Sequence, residues 1–288
     1  MADAEDAAFV PLMLGGDWHH DRPGGLNRYV ADLAAALRRD GIRTRATVVG
    51  PAANAPVGTV AASSARQFLP VRLWSYARAA GRLAGEVDLV DAHFALYAGA
   101  PTVAGRLRRL PLVVHFQGPW ADEDFAAGTL RRARVRAKRL TELAVYRRAA
   151  AFVTLSAAFK RILVERYGVA PWDVHVIPPG VDLGTFRPGD PESARRRVGV
   201  DGRGPVVVTV RRLVPRMGLD VLLDAWATID PGLGARLLIV GEGPERSPLH
   251  AKAEAMGLSS SVRFLGRVDE DLLVACYQAA DVSVVPSV

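Results

Sequence analysis

The sequence is poor in cysteine and contains no long apolar segment. A single cysteine, Cys276, excludes a framework of intrachain disulfides and is typical of a reducing compartment. No apolar run approaches the roughly 20 residues that a membrane-spanning helix needs. The N-terminal residues MADAEDAAFV are acidic, whereas a signal peptide begins with basic residues. These features predict a cytoplasmic protein.

Lysine is also scarce, and the basic charge is unevenly distributed. Of the 37 basic residues only 3 are lysine. Positions 1–180 contain 24 basic and 16 acidic residues, a balance of +8, whereas positions 181–288 contain 13 and 14, a balance of −1. The basic first part indicates an anionic partner, such as a membrane surface or a lipid phosphate, or else a solvated basic surface. Nucleic acid is not expected as a partner, because no aromatic residues are interleaved with the arginines for base stacking.

Short β-branched segments alternate with longer amphipathic segments along nearly the whole chain. The segments that predict strands are Phe9–Leu14, Arg45–Val49, Val87–Val90, Leu112–Phe116, Phe152–Leu155, Val174–Ile177, Pro205–Val210, Arg236–Val240, Val262–Leu265 and Val282–Val285. Near-continuous apolar strands that alternate with helices indicate parallel sheets covered on both faces. The sequence therefore predicts an α/β protein with doubly wound parallel sheets.

The segment Pro178–Pro191 divides the chain into two α/β domains, one over about 1–180 and one over about 190–288. It contains four prolines and three glycines in fourteen residues, which is the composition of a linker. The second domain has four predicted strands and the chain ends just after the last of them. Because an open parallel sheet normally closes with a helix, we expect this second domain to be incomplete.

Two glycine-rich segments follow predicted strands, at the edge of the sheet where doubly wound folds bind their ligands. Gly24 and Gly25 lead directly into a predicted helix, whose free N–H groups favour an anion such as phosphate. The alternative is ordinary turn chemistry. Gly241 and Gly243 follow a strand of the second domain, but position 246 is Arg, so the dinucleotide fingerprint G-x-G-x-x-G is incomplete. The pattern therefore disfavours an NAD-dependent dehydrogenase.

An arginine-rich loop, VRRLVPRMGLD, follows the first strand of the second domain and opens a helix at Gly218. Arg211, Arg212 and Arg216 in this loop predict a diphosphate site, because guanidinium groups and a helix N-terminus both favour anions. Three solvated arginines are the alternative. In the first domain His115 ends a strand, where we expect its imidazole or its carbonyl to face a cleft and hold a sugar hydroxyl. The alternative is that His115 has only a structural role. His93 also follows a predicted strand, but the sequence gives it weaker support as a ligand-binding residue.

Two Asp-x-Asp strings could hold a divalent ion. The string Asp122–Asp124 follows His115, and the string Asp269–Asp271 begins a predicted helix, where acidic residues act as caps. We expect both strings to have ordinary structural roles. No metal site is predicted.

The chain resembles the family-4 retaining glycosyltransferases of the GT-B fold, in a match that runs from Gly24 and Gly25 to Ser287 and includes four ordered strings. The most specific are IPPGVDLGTFRP, from Ile177 to Pro188, and RRLVPRMGLDVLLDAWA, from Arg211 to Ala227. LLIVGEGPER and VRFLGRVDEDLLVACYQAADVSVVPS follow with the family's spacing. The resemblance implies two Rossmann-like domains and sugar transfer from a nucleoside diphosphate sugar to a glycan or lipid-linked acceptor. It implies no metal and no further cofactor.

The resemblance also assigns roles to individual residues. The donor binds mainly to the second domain and the acceptor mainly to the first. The catalytic residues that the resemblance implies are His115, which contacts the donor sugar, and Arg212, which binds the diphosphate. The donor-binding residues that it implies are Gly24, Gly25, Arg216, Gly241, Gly243 and the nucleobase-reading pair Arg267 and Val268.

The sequence departs from the family pattern in two places. Met217 stands where the family has a lysine, so we expect Arg216 or Arg211 to supply that charge, although arginine and lysine place charge differently. The paired glutamates of the family would begin beyond Val288, so we expect this chain to be a poor catalyst. The alternatives are a non-catalytic fragment that binds sugar nucleotides and a sugar-nucleotide epimerase of the same fold. The epimerase would not be expected to carry these strings in this form.

The segment Thr129–Arg148 contains eight basic residues and a single acidic one, Glu142. Its apolar residues are Leu130, Leu140, Leu143, Val145 and Tyr146. A helix of this composition can rest on anionic lipid and bring the enzyme to a lipid-linked acceptor. An ordinary domain helix with a solvated basic face is the alternative.

Overall fold

A computed structural model describes residues 9–19, 21, 22, 24–52, 55–123 and 128–287. The chain forms two compact units, Met1–Pro179 and Gly180–Val288. Each unit is built on a parallel β-sheet. None of the helices in the described part of the chain combines the length and the apolar character needed to span a bilayer.

Unit 1 contains a seven-stranded parallel sheet in the order β3-β2-β1-β4-β5-β6-β7. Its strands are β1 Pro11–Asp17, β2 Arg45–Val49, β3 Thr59–Ser63, β4 Leu89–Ala92, β5 Leu112–Phe116, β6 Ala151–Thr154 and β7 Val174–Val176. Its helices are α1 Gly25–Arg39, α2 Leu69–Arg82, α3 Ala95–Gly99, α4 Gly128–Tyr146 and α5 Ala157–Tyr167. The strand order reverses between β1 and β4, which places the topological switch point beside α1.

The helices of unit 1 cover both faces of its sheet. On one face Val30 and Ala34 of α1 pack against Met13 of β1. On the other face a larger core takes Tyr76 from α2 and Val145 from α4, together with residues of α3 and α5. The side of the sheet that carries α2 therefore also carries α3, α4 and α5. This arrangement follows from right-handed crossovers on a sheet whose strand order reverses once.

Unit 2 contains a four-stranded parallel sheet in the order β10-β9-β8-β11. The strands are β8 Val206–Val210, β9 Arg236–Val240, β10 Val262–Gly266 and β11 Val282–Ser283, and the helices are α6 Pro191–Arg197, α7 Leu219–Trp226, α8 Arg246–Ala255 and α9 Glu270–Ala279. Apolar clusters cover both faces. At the sheet edge β11 is shorter than predicted, and the side chains of Val282 and Val285 are exposed.

Most predicted strands lie where the sequence placed them, and β2, β5 and β9 have the predicted bounds. Strand β3 was missed, because its sequence TVAAS lacks the large apolar residues that mark a buried strand. Strand β1 extends three residues further than predicted, through Gly15 and Gly16. A Cβ atom on Gly15 would lie 3.3 Å from Val30 Cγ1, so the small residue allows α1 to pack closely on the strand.

Residues 177–190, all of which the structure describes, form neither helix nor strand. The carboxylate of Asp190 then accepts hydrogen bonds from the backbone N–H groups of Glu192 and Ser193 and caps α6. The proline-rich segment therefore crosses from one unit to the other in an irregular conformation.

Candidate functional site

The carboxyl ends of β4 and β5 bring together three polar side chains of unit 1. These parallel strands pair Asp91 with Val113 and Ala92 with Val114, so the residues that follow, His93 and His115, also lie side by side. His93 Nε2 lies 3.2 Å from Asp91 Oδ2, and His115 Nε2 lies 2.9 Å from Asp91 Oδ1. The two imidazole rings are 4.3 Å apart between centroids. One carboxylate therefore contacts two histidines.

A fourth residue, Tyr29 of α1, completes this cluster. Its hydroxyl lies 2.9 Å from His115 Nδ1, so both ring nitrogens of His115 have a polar neighbour. The His115 side chain is only 9% exposed. The imidazole of His115 was expected to face a cleft, but it is buried. A substrate hydroxyl would have to displace Tyr29 or Asp91 to form a hydrogen bond with one of its ring nitrogens. We call Tyr29, Asp91, His93 and His115 the Asp91 cluster.

The charges in the Asp91 cluster fix its protonation. Burial by itself would raise the pKa of Asp91, but the neighbouring charge of His93 and the hydrogen bonds from both histidines outweigh it and hold that pKa well below its usual range. Burial lowers the pKa of His93. Burial and the charge of Asp91 raise the pKa of Tyr29. An ionised Asp91 can only accept, so Nε2 of His115 donates to it, and in the neutral imidazole Nδ1 then accepts from the hydroxyl of Tyr29.

The same three side chains also have the composition of a metal site. Asp91, His93 and His115 each offer a ligand atom, and these atoms lie within 4.8 Å of one another. Two ligands of one tetrahedral zinc ion, each about 2.0–2.1 Å from it, are about 3.3 Å apart. The separation of 2.9 Å between His115 Nε2 and Asp91 Oδ1 is shorter and matches a direct contact between the two groups. The cluster fits a hydrogen-bonded network better than a metal centre.

In unit 2 the arginine-rich loop leaves β8 and opens α7, as the sequence predicts. Gly218 adopts a left-handed conformation, with φ of 64°, and stands at the N-cap of α7. The side chains of Arg212 and Arg216 are exposed, whereas Arg211 Nη2 donates to Ser287 Oγ at 2.6 Å. Met217, at the position of the family's lysine, packs against the apolar cluster of α7.

Gly241 and Gly243 hold the next loop against the arginine-rich loop. A Cβ atom on Gly241 would lie 1.9 Å from the carbonyl oxygen of Arg211, and one on Gly243 would lie 2.1 Å from that of Leu213. The backbone N–H of Leu213 donates to the carbonyl of Glu242 at 3.0 Å. The two glycines are therefore needed for backbone packing, and this packing fixes the path of the loop that carries Arg212.

The other predicted donor-binding residues lie at the start of α1 in unit 1 and just after β10 in unit 2. Gly24 precedes α1 and Gly25 is its first residue, and no acidic residue occupies the first turn of this helix. Gly24 has an extended backbone, with φ of 173°, so its conformation does not require glycine. Arg267, after β10, is exposed, and Val268 packs against the apolar cluster beneath it.

Unit 1 also contains a cavity that the sequence did not reveal. Its volume is about 280 Å³, and its lining residues are Gly16, Asp17, Arg22, Leu26, Asn27, Ala65, Arg72, Phe94, Leu96 and Tyr97. Arg22 pairs with Asp17 at 3.3 Å, and Arg72 Nη1 donates to the carbonyl of Ala65 at 2.9 Å. Arg72 Nε is buried without a hydrogen-bond partner. The two arginines are 50 positions apart, so only the sheet topology brings them to one cavity.

The Asp-x-Asp strings have structural contacts. Asp269 caps α9 by accepting from the backbone N–H of Leu272 at 2.8 Å, which confirms the predicted cap. Asp122 pairs with Arg166 at 2.7 Å. Asp124 lies outside the residues that the structure describes.

Helix α4 buries two of the apolar residues that were expected to face lipid. Val145 and Tyr146 are buried and Leu143 is half-buried, whereas Leu140 is 58% exposed. Glu142 is buried and accepts from the backbone N–H of Trp120 at 2.7 Å and from the hydroxyl of Tyr167 at 2.8 Å. The side chain of Leu130 is not among those described. The expectation of a lipid-facing apolar side on α4 is therefore wrong at the end of the helix, for Val145 and Tyr146.

Comparisons with known proteins agree with these features. The family model described as Glycosyltransferase Family 4 matches residues 23–185, and the model described as Glycosyl transferases group 1 matches residues 190–288. The D-inositol 3-phosphate glycosyltransferases of Acidothermus cellulolyticus and Geodermatophilus obscurus are each 33% identical to this chain over 92% of its length. The chain spans 65% of the length of these two relatives.

Solved structures share the fold at lower identity. Anabaena HepE in complex with UDP and glucose is 22% identical with a TM-score of 0.76, and the match covers 97% of this chain and 74% of that one. The sucrose-phosphate synthase of Thermosynechococcus elongatus is 21% identical with a TM-score of 0.73, covering 96% and 75% of the two chains. The predicted fold, two Rossmann-like domains of the GT-B class, is confirmed. The chain therefore belongs to the family-4 glycosyltransferases.

Proposed function

We propose that this chain binds a nucleoside diphosphate sugar and belongs to an enzyme that transfers the sugar to an acceptor with retention of configuration. The observation that carries the proposal is the loop of unit 2 in which Arg212 and Arg216 are exposed beside the N-terminus of α7. Guanidinium groups and a helix N-terminus both favour a diphosphate. Because Gly241 and Gly243 fix the path of this loop, the charges are positioned before the ligand arrives.

In this proposal Arg212 holds the diphosphate and stabilises its charge as it leaves the sugar. Arg216 supplies a second positive charge, and Gly24 and Gly25 offer the N-terminus of α1 to a phosphate. The ordered Asp91 cluster holds His115 in a single tautomer near the donor sugar. The backbone at Arg267 and Val268 reads the nucleobase. No metal and no further cofactor are needed for these roles.

We propose that the acceptor carries an anionic group and binds in the cavity of unit 1. Arg22 and Arg72 line this cavity, and Arg72 Nε is a buried donor without a partner, which an anionic oxygen would satisfy. The curated relatives are named for inositol 3-phosphate, a phosphorylated polyol. A lipid-linked glycan precursor also carries phosphate, so both acceptor classes share the chemistry that the two arginines recognise.

Isothermal titration with a panel of nucleoside diphosphates and their sugars tests the proposed donor. We expect at least one nucleoside diphosphate sugar to bind and Arg212→Ala to weaken it. Absence of binding across the panel by the folded chain would overturn the proposal. A chain that binds donors without transferring sugar would be the non-catalytic alternative, and inversion of a donor-sugar centre without acceptor would indicate the epimerase.

The proposed acceptor site has its own test. Arg72→Gln keeps a hydrogen-bonding side chain in the cavity and removes the charge. We expect weaker binding of inositol phosphates or of a phosphorylated lipid carrier, with donor affinity unchanged. Arg43→Gln, an exposed arginine elsewhere in unit 1, is the control. Equal acceptor affinity in Arg72→Gln and in the unaltered chain would contradict this assignment.

We propose further that the protein works in the cytoplasm at the inner face of an anionic membrane. The supporting observations are the balance of +8 over positions 1–180 and the exposed arginines of α4, such as Arg132 and Arg136. Basic residues near a lipid surface are attracted to its anionic headgroups. Charge alone does not anchor a protein firmly, so this contact also needs exposed apolar side chains.

A further inference from the structure

Helix α2 exposes a row of large apolar side chains to solvent. Phe68, just before the helix, is 76% exposed, and within the helix Leu69 is 41%, Val71 49% and Trp74 63% exposed. The opposite side of the same helix is buried, with Tyr76 and Ala80 in the core of unit 1. The helix is therefore apolar on its outer side at its N-terminal end, where a surface helix is normally polar.

The segment that carries these apolar side chains contains arginines and no acidic residue. Positions 64–85 contain four arginines and no aspartate or glutamate. Arg78 and Arg82 follow Val71 and Trp74 at helical spacing and are exposed, and the Arg78 guanidinium lies 5.6 Å from the centre of the Trp74 ring. We call Phe68, Leu69, Val71, Trp74, Arg78 and Arg82 the α2 surface.

The basic character continues beyond the helix. The short turn Arg106–Arg109 contacts α2, because the Arg106 side chain passes 3.5 Å from the position of a Cβ atom on Gly81. Arg108 and Arg109 in this turn are exposed. Helix α4, with exposed Arg132 and Arg136, lies on the same side of the sheet. Arginines of this turn and of α4 therefore lie on the same side of the sheet as α2, and the turn contacts the C-terminal end of that helix.

We propose that the α2 surface docks on an anionic lipid bilayer, with Trp74 and its apolar neighbours in the interface and the arginines on the headgroups. This inference deepens the membrane contact proposed above and assigns its apolar part to α2, whereas α4 contributes charge. Tryptophan favours the membrane interface, and arginine can keep its charge at the headgroups while its stem lies on apolar surface. Apolar burial and electrostatic attraction together are what a helix in the plane of the interface requires.

The charge distribution favours a bilayer over a second copy of this chain as the occupant. A two-fold symmetric contact places the same patch on both partners, so the arginines of one copy would face those of the other. Positions 64–85 offer no carboxylate to pair with them. An anionic bilayer provides both an apolar layer and the opposite charge.

Vesicle co-sedimentation with the full 288-residue chain tests the proposal, without donor or acceptor present. We expect binding to vesicles that contain phosphatidylglycerol and much weaker binding to pure phosphatidylcholine vesicles. Val71→Ser/Trp74→Ser should lower the partition coefficient on anionic vesicles by about tenfold or more, because the variant removes two exposed apolar side chains. Arg132→Gln/Arg136→Gln on α4 should lower it less.

Trp172→Ser is the matched control, because Trp172 is 79% exposed and lies just before β7, at the far edge of the sheet from β3. It should bind vesicles like the unaltered chain. Since the substituted residues of α2 are exposed, circular dichroism should show an unchanged fold in both variants. Quenching by brominated lipid should fall in Trp74→Ser and persist in Trp172→Ser.

Three outcomes would overturn the proposal. One is equal binding of the chain to neutral and anionic vesicles, and another is unchanged binding by Val71→Ser/Trp74→Ser. A dimer in light scattering that the same variant converts to a monomer would assign the α2 surface to a second copy instead. The vesicle experiment uses no sugar nucleotide. A negative vesicle result would therefore not contradict the donor proposal, and absence of donor binding would not contradict membrane docking.

Discussion

The hydroxyl of Tyr29 lies 2.9 Å from Nδ1 of His115 and links α1 to the end of β5. Tyr29 is one turn into the helix that Gly25 begins, and His115 is fixed on its other side by Asp91. The glycine loop and the histidine, two separate features in the sequence, are thus held in one network. A ligand that moves the start of α1 would therefore also act on His115.

Tyr29→Phe removes the donor to His115 Nδ1 and leaves the ring packing in place. We expect affinity for a nucleoside diphosphate sugar to fall by about 2- to 12-fold, since a net hydrogen bond contributes about 0.5–1.5 kcal/mol. Affinity for the nucleoside diphosphate without the sugar should stay the same. Titration of both ligands measures this, with Tyr277→Phe in unit 2 as the control. An equal loss for both ligands would argue against a role for His115 at the sugar.

Acid should destabilise unit 1 through the Asp91 cluster. Burial lowers the folded-state pKa of His93, so the unfolded chain binds this proton first and stability falls as the pH drops below about 6.5. The pKa of Asp91 is depressed in the fold, so its contribution is complete above about pH 4 and is lost below that value. The two losses have the same sign and begin at different pH values.

His93→Gln tests the first of these losses. Between pH 7 and pH 5 the unaltered chain should lose stability, by up to about 1.4 kcal/mol per pH unit for one proton. The variant should show a smaller loss over that interval, measured by hydrogen exchange of unit 1 peptides. His250→Gln, at an exposed histidine of α8, is the control. The same pH dependence in His93→Gln and the unaltered chain would mean that His93 does not titrate as inferred.

Arg212→Ala should weaken binding of a nucleoside diphosphate. A hydrogen bond to a charged group contributes about 1.5–3 kcal/mol, which corresponds to about a 10- to 150-fold change in dissociation constant. Arg203→Ala is the matched control, because Arg203 is exposed in the same unit and precedes β8 instead of following it. A dissociation constant that does not change in a folded Arg212→Ala protein would remove Arg212 from the site.

Gly243→Ala should destabilise unit 2 whether or not a ligand is bound. The added Cβ would lie 2.1 Å from the Leu213 carbonyl oxygen, and backbone atoms cannot move aside as a side chain can. We expect a cost of at least about 1–3 kcal/mol, as for other overpacked sites. Limited proteolysis of the whole chain, read as the rate of cleavage at sites after Pro191, measures the stability of this unit. Gly180→Ala, where a Cβ meets open space, should be neutral. Normal protease resistance in Gly243→Ala would contradict the close packing of the two loops.

The order of strands and helices was readable from the sequence, because apolar periodicity and glycine or proline breaks are local properties. Strands β2, β5 and β9 have the predicted bounds, and both the predicted cap at Asp269 and the predicted helix start at Gly218 are present. Strand β3 was not predicted, since an edge strand of small residues has little apolar signal. The family itself was identified from ordered strings that are also local.

The sequence by itself determined the α/β class, the family and the basic charge of the first part of the chain. The tertiary structure decided which side chains meet: Tyr29 and Asp91 join His115 only because α1 and β4 pack beside β5, across 86 and 24 positions of the chain. It also decided which side of each helix faces solvent, exposing Trp74 of α2 and burying Val145 of α4. Both are consequences of long-range packing, which residue spacing along one segment does not encode.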